Sequence, residues 1–199
     1  MSETGYDVII VGMGGMGSSA AYHLAKRGKK VLGLEQFGIP HTMGSSHGVN
    51  RIIRLAYYED PSYVPLLQRS FELWRDLEQA AKEPILITTG SIDCADASNY
   101  VFTESLRSCE IHGLRHEVLN AFQTVARWPA FSLPANHMTV YQPDGGYVMS
   151  ERAIVAHVIG AIEAGADIRG FTPMLSWQTT PAGVAVETPR GRFEAEQII

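Results

Sequence analysis

The run Gly12-Met13-Gly14-Gly15-Met16-Gly17 constrains the fold more than any other feature, because of what stands on either side of it. Val8, Ile9, Ile10 and Val11 precede it without a break, as in a parallel strand covered on both faces. After it, Ser18, Ala20, Ala21 and Ala25 give a helix small residues that let it lie close on a sheet, and Gly28 ends that helix. Lys30 to Leu34 reads as a second apolar strand, so the chain opens with a βαβ unit. In that setting Gly12 permits a tight turn, Gly14 admits a pyrophosphate close to the backbone, and Gly17 lets helix and strand pack. The helix N-terminus adds free N–H groups and positive potential.

Glu35 stands at the end of the second strand, where it can accept hydrogen bonds from both ribose hydroxyls of an adenosine. Its charge would repel a ribose 2′-phosphate, which disfavours NADP. FAD and NAD share the ADP half, and these residues do not separate the two.

The rest of the chain alternates helix and strand. Gln36 to Asn50 is loop-like, and a long loop inside a compact domain is more often functional than idle. Tyr63 to Lys82 predicts an amphipathic helix with Leu66, Ser70, Leu73, Leu77 and Ala81 on one face. One or two strands are expected around Gly90, a helix from Ala97 to His112, and a strand from Arg115 to Leu119. Asn120 with Gln123 resembles a capping box opening a short helix. Thr139–Tyr141 and Tyr147–Met149 flank the turn Pro143-Asp144-Gly145-Gly146, after which Ser150 is expected to cap a helix ending near Gly165. Three strands joined by Pro181-Ala182-Gly183 and Pro189-Arg190-Gly191 read as a meander.

The segment from His41 to Arg54 gathers the remaining candidate chemistry. Gly44, Ser45, Ser46 and Gly48 would let backbone come near a flat ring, while His47, Arg51 and Arg54 bring polar and cationic groups to one region. The spacing of Arg51 and Arg54 favours a helical turn. One cation beside a flavin favours its anionic reduced form, and a second could clamp a substrate carboxylate. Read from the residues alone, the segment is only a basic surface turn.

Composition removes several other functions. A net charge of −5, without a dense Lys/Arg cluster, argues against nucleic acid. The two cysteines, Cys94 and Cys109, form no metal or redox motif, and the histidines His112, His116, His137 and His157 have no metal-ligand spacing. His23, on the first helix, reads as structural. No apolar stretch approaches a membrane span, and the N-terminus lacks a signal-peptide pattern, so a cytoplasmic protein is expected.

The runs DVIIVGMGGMGSSAAYHLAKRG, LEQFGIPHTMGSSHGVNRIIRLAY and LLQRSFELWRDLE closely resemble the monomeric sarcosine oxidase family. That family includes N-methyltryptophan and pipecolate oxidases, within the D-amino-acid-oxidase-like flavoproteins. Fainter echoes are Thr89-Gly90, Arg127-Trp128-Pro129 and Pro143-Asp144-Gly145-Gly146. The resemblance implies an α/β fold: a Rossmann-like FAD-binding domain, with a βαβ start and a β-meander, carrying an inserted α+β substrate domain. The expected segments are residues 1–84 and 146–199 for FAD and 85–145 for the start of the insertion. FAD would be held by Gly12, Gly14, Gly15, Met16, Gly17, Glu35, Gln36, Ser45, Ser46, His47 and Arg51. His47 and Arg51 would lie against the flavin ring, and Arg54 would pair with the substrate carboxylate. The implied reaction oxidises a secondary amino acid such as sarcosine to an imine and reduces dioxygen to hydrogen peroxide.

Family members are longer, and supply from a C-terminal part a further flavin-contacting segment, a lysine linked to oxygen activation and a flavin-attaching cysteine. Neither Cys94 nor Cys109 stands in a matching context. Ile198-Ile199 closes an apolar strand where an α/β domain would continue into loop and helix, so the chain is expected to be truncated. An NAD-dependent dehydrogenase and a non-catalytic nucleotide-binding remnant are the rival readings.

Overall fold

The computed structural model describes residues 3–199. In chain order, Glu3–Val11 forms β1, Gly15–Lys26 α1, Val31–Leu34 β2 and Arg51–Ile53 β3. Val64–Ala81 is α2, Leu86–Thr88 β4, Ser91–Asp96 β5, Tyr100–His112 α3, Glu117–Asn120 β6 and Ala121–Arg127 α4. His137–Gln142 is β7, Gly146–Val148 β8, Ser150–Glu163 α5 and Asp167–Arg169 β9. Ser176–Thr180, Gly183–Thr188 and Gly191–Ile198 are β10, β11 and β12. The chain divides into two compact units: Met1–Asn50, Gln79–Glu83 and Met149–Ile199 make the first, and Arg51–Glu78 and Pro84–Val148 the second.

The first unit is built on a six-stranded sheet in the order β10-β11-β12-β1-β2-β9. β1 lies parallel to both β2 and β12, and β2 parallel to β9, whereas β10, β11 and β12 run antiparallel as a meander. All four residues of β2 are buried, as expected of a parallel strand covered on both faces. Ile9, Leu32, Leu34, Val184, Val186, Phe193 and Ala195 form the core. Helices α1 and α5 pack together, and the Tyr22 ring lies so close to Gly160 that a Cβ there would approach it to 2.6 Å.

The second unit has two three-stranded sheets, β3-β8-β4 and β5-β7-β6. Its core combines Ala56, Val64, Phe102, Cys109, Leu114 and Val140. Asn99 caps α3, which ends on Gly113 in the left-handed conformation (φ 60°), and the capping box of Asn120 and Gln123 is present on α4.

Three expectations are corrected, and one strand is added that the sequence pattern does not predict. Arg51 and Arg54 do not share a helical turn, because Arg51–Ile53 pairs with β8 as a strand. The expected stripe of α2 fails only at its start: Ser70, Leu73, Leu77 and Ala81 face inward, but Leu66 is 68% exposed and Val64 is buried instead. Ser150 is the first residue of α5 rather than its cap, and its hydroxyl donates to Gly48 O at 2.8 Å. Asp167–Arg169, three residues without strong strand character, adds β9 to the edge of the sheet because β2 offers a parallel partner there.

Candidate functional site

A cavity of about 640 Å³ lies in the first unit, over the end of β1 and the start of α1. Gly12, Gly14, Gly15, Met16, Gly17, Glu35, Gln36, Ser45, Ser46 and His47 all line it, so ten of the eleven residues expected at the cofactor converge there. The eleventh, Arg51, belongs to the second unit, as does Arg54.

The glycine turn has the shape a dinucleotide requires. Gly12 has φ +96°, a conformation that side-chain-bearing residues rarely adopt. A Cβ on Gly17 would stand 1.8 Å from Gly12 O, so the helix could not start so close to the strand with any larger residue. Gly14 caps α1 without a side-chain hydrogen bond, and a Cβ there would meet no atom within 4 Å. The first turn of the helix lines the cavity, the arrangement that accepts an anion.

Glu35 is buried, 4% exposed, at the end of β2. Its Oε2 accepts from Met13 N at 2.9 Å and its Oε1 from Phe37 N at 3.0 Å. An ionised carboxylate has about four lone-pair positions, so capacity remains for ribose hydroxyls. The segment after β9 braces this strand end: Thr172 N donates to Glu35 O at 2.7 Å and Phe171 N to Phe37 O at 2.9 Å. These observations fit an ADP moiety on the first unit.

Within the loop Gln36–Asn50, the exposed His47 donates from Nδ1 to Gly44 O at 2.7 Å, which leaves Nε2 as the acceptor of the neutral ring. Ser46 Oγ would stand 2.7 Å from a Cβ on Gly15, so the serine sits directly against the helix start. Glu151, in the first turn of α5, holds the loop by accepting from Gly48 N at 2.8 Å.

In the second unit, Arg51 is exposed on β3. Arg54 is flanked by aromatic rings, its guanidinium 4.5 Å from the centroid of Tyr58 and 5.1 Å from that of Tyr57. Its Nη2 donates to Glu59, and its Nε lies 3.9 Å from Asp93 Oδ1 without a hydrogen bond among the described residues. Burial raises the Asp93 carboxyl above the ordinary value, against the opposing pull of the Arg54 guanidinium and the hydroxyl of Ser105.

Burial also pushes the Cys109 thiol up to about 11, with Asp93 and Glu110 adding to it, so Cys109 is an inert core residue. Among the described residues no cluster of His, Cys, Asp or Glu could hold a metal, and no helix is long and apolar enough to cross a membrane.

Sequence reasoning missed His41, Phe37, Met43 and Thr172–Met174, which also line the cavity. His41 was legible as a polar residue six positions after Glu35. Thr172–Met174 carry no local signal, since only the pairing of β9 with β2 brings them near.

A parallel βαβ start, a glycine-lined helix N-terminus and a buried strand-end carboxylate define the class of dinucleotide-binding α/β proteins. Residues 7–199 match the FAD dependent oxidoreductase family (DAO), and the chain belongs to that family. It is 40% identical over 199 residues to monomeric sarcosine oxidase of Streptomyces avermitilis, covering 100% of this chain and 52% of the relative. With N-methyl-L-tryptophan oxidase of Yersinia pestis it shares 34% over 194 residues, covering 98% and 52%. The chain thus spans about half the length of the curated relatives it matches. The crystal structure of NikD, an unusual amino acid oxidase essential for nikkomycin biosynthesis, superposes with a TM-score of 0.88 at 28% identity, covering 99% of this chain and 51% of NikD. L-proline dehydrogenase from P. horikoshii, at 21% identity and a TM-score of 0.84, shares the fold, covering 100% of this chain and 52% of that one.

Proposed function

We propose that this chain binds FAD and serves the oxidation of a secondary, N-methyl amino acid, with dioxygen as the electron acceptor. The observation that carries the reading is the cavity of the first unit, where the glycine turn, the N-terminus of α1 and the Glu35 carboxylate share one surface. The similarity to sarcosine and N-methyltryptophan oxidases supports the substrate class.

Gly12, Gly14, Gly15, Met16 and Gly17 would hold the pyrophosphate through backbone N–H groups, and Glu35 would accept from the ribose. Gln36, Ser45 and Ser46 would line the path of the cofactor, with His47 and Arg51 at its flavin end. Bound FAD would supply the acceptor for a hydride equivalent from the substrate's C–N carbon and pass the electrons on to dioxygen. Arg51 would present donors to negative charge developing at the ring, and His47 would do so from Nε2 in its protonated form, which is electrostatic stabilisation. Arg54 would take the substrate carboxylate. Its planar fork suits bidentate binding, and the rings of Tyr57 and Tyr58 keep it from sweeping freely. Holding the carboxylate fixes the reacting carbon, so that the contribution of Arg54 is one of position.

The test is direct. Purified protein incubated with FAD should turn yellow, retain the colour through gel filtration and release peroxide from an N-methyl amino acid more readily than from the corresponding primary amine. Protein that stays colourless with excess FAD would refute cofactor binding. Yellow protein that produces no peroxide from any N-methyl amino acid would refute the assigned reaction for this chain.

A further inference from the structure

One side chain in the cavity has a geometry that the cofactor reading above does not use. His41 Nε2 lies 3.4 Å from Glu35 Oε2, and both residues line the cavity. The opposite ring nitrogen, Nδ1, accepts from Met43 N at 3.1 Å. A nitrogen that accepts a backbone N–H carries no proton of its own, so the proton of the neutral ring sits on Nε2, turned to the carboxylate. The ring itself is pinned. Its centroid is 5.0 Å from that of Phe37, and its Cε1 would stand 3.3 Å from a Cβ on Gly44, so a larger residue there would crowd it.

The lone pairs of Glu35 show what this arrangement can do. Met13 N and Phe37 N occupy one position on each oxygen, and His41 approaches a second position on Oε2. Charge-assisted N–H···O bonds usually span about 2.7–2.9 Å, so a contact of 3.4 Å leaves the Nε2 proton only weakly engaged. A vicinal diol offers both donors and acceptors. One hydroxyl can donate to the open position of Oε1, and the oxygen of the other can receive the His41 N–H.

We propose that His41 is a ribose-recognition residue, a fixed N–H donor that works with the Glu35 acceptor as one diol-reading pair. The proposal rests on the reading that the first unit binds the ADP half of FAD, and it adds a donor that the glycine turn and the acid lack. His41 binds cofactor here and takes no part in the chemistry.

The experiment measures the affinity of the protein for ADP and for 2′,3′-dideoxy-ADP by calorimetry, in the wild type, His41→Phe and His41→Gln. Phenylalanine keeps the ring against Phe37 and removes the N–H, whereas glutamine restores a donor. His41→Phe should weaken ADP about fivefold or more and leave the dideoxy analogue within about twofold of wild type, because the lost bond goes to a hydroxyl that the analogue does not have. His41→Gln should recover part of the preference for ADP. A His41→Phe protein that keeps the wild-type ratio of the two affinities, or that loses both ligands together, would overturn the role assigned to His41 while leaving the cofactor reading intact. Wild-type protein that binds neither nucleotide would end both.

Discussion

Arg54 Nη2 donates to Glu59 Oε2 across 3.3 Å, so the guanidinium assigned to the substrate carboxylate already holds a carboxylate of its own chain. The Glu59 side chain is 43% exposed, which limits the strength of the pair to about 1 kcal/mol. Glu59→Gln should therefore lower the KM for an N-methyl amino acid modestly, by about fivefold at most, because a competitor of the same charge is removed. Arg54→Leu should raise that KM steeply, by about tenfold or more, since a charge-assisted bond to the substrate is lost. Steady-state peroxide assays on catalytically competent protein check both, and an unchanged KM in Arg54→Leu would remove Arg54 from carboxylate binding.

Gly14 and Gly17 stand three residues apart and should fail in different ways. A Cβ on Gly17 would collide with the backbone at Gly12 O, so Gly17→Ala should destabilise the fold by about 1–3 kcal/mol. A Cβ on Gly14 meets nothing, and its φ of −74° suits any residue, so Gly14→Ala should change stability by less than about 0.5 kcal/mol. Its methyl group would take up space meant for the pyrophosphate. Thermal unfolding without cofactor should then separate the two variants, while FAD titration finds both impaired.

Glu35 accepts two backbone N–H groups, so shortening it would strand Met13 N and Phe37 N and confuse folding with binding. Glu35→Gln keeps the shape and one acceptor oxygen. It sets an amide NH2 against one of those two N–H groups, so it should lower the melting temperature while weakening FAD about tenfold through the lost charge. Equal affinity in a fluorescence titration would exclude the carboxylate from the ribose.

His157 supplies a pH dependence. Packed against Tyr22 and His23 between α1 and α5, it is pushed down from 6.5 to about 4 by burial first and by the neighbouring His23 second. Between those values the unfolded chain binds a proton that the folded chain refuses. Stability contributed by the neutral ring is thus present in full above pH 6.5 and falls as the pH drops towards 4. The loss amounts to about 3 kcal/mol at most. Denaturant unfolding at pH 7 and pH 4.5 should show the wild type losing more stability than His157→Phe, and parallel losses would assign the acid sensitivity elsewhere.

Much of the first unit was legible because its signals are local. The unbroken apolar run before Gly12, the small residues of α1 and the acid after Leu34 each follow from a covalent neighbourhood, and together they require a strand, a turn and a helix whose free N–H groups point at an anion. The capping box at Asn120 and the left-handed Gly113 belong to the same kind of information. The resemblance carried by the segment from His41 to Arg54 then chose FAD, where the glycine turn alone left NAD equally open.

What only tertiary structure decided depends on partners distant in sequence. Periodicity favoured a helical turn for Arg51 and Arg54, yet β8, almost a hundred residues later, supplies the edge that draws Arg51–Ile53 into a sheet. Thr172 has no motif around it and still braces Glu35, because β9 found a place beside β2. The proton position of His41 follows from a hydrogen bond to Met43 N, a contact that no residue spacing announces. Sequence by itself determined which segments could form strands, helices and an anion-binding turn, since backbone sterics and apolar burial act over a few residues. The pairing of those segments, and with it the side chains that share the cavity, was settled only when non-local hydrogen bonds and packing selected one arrangement among many.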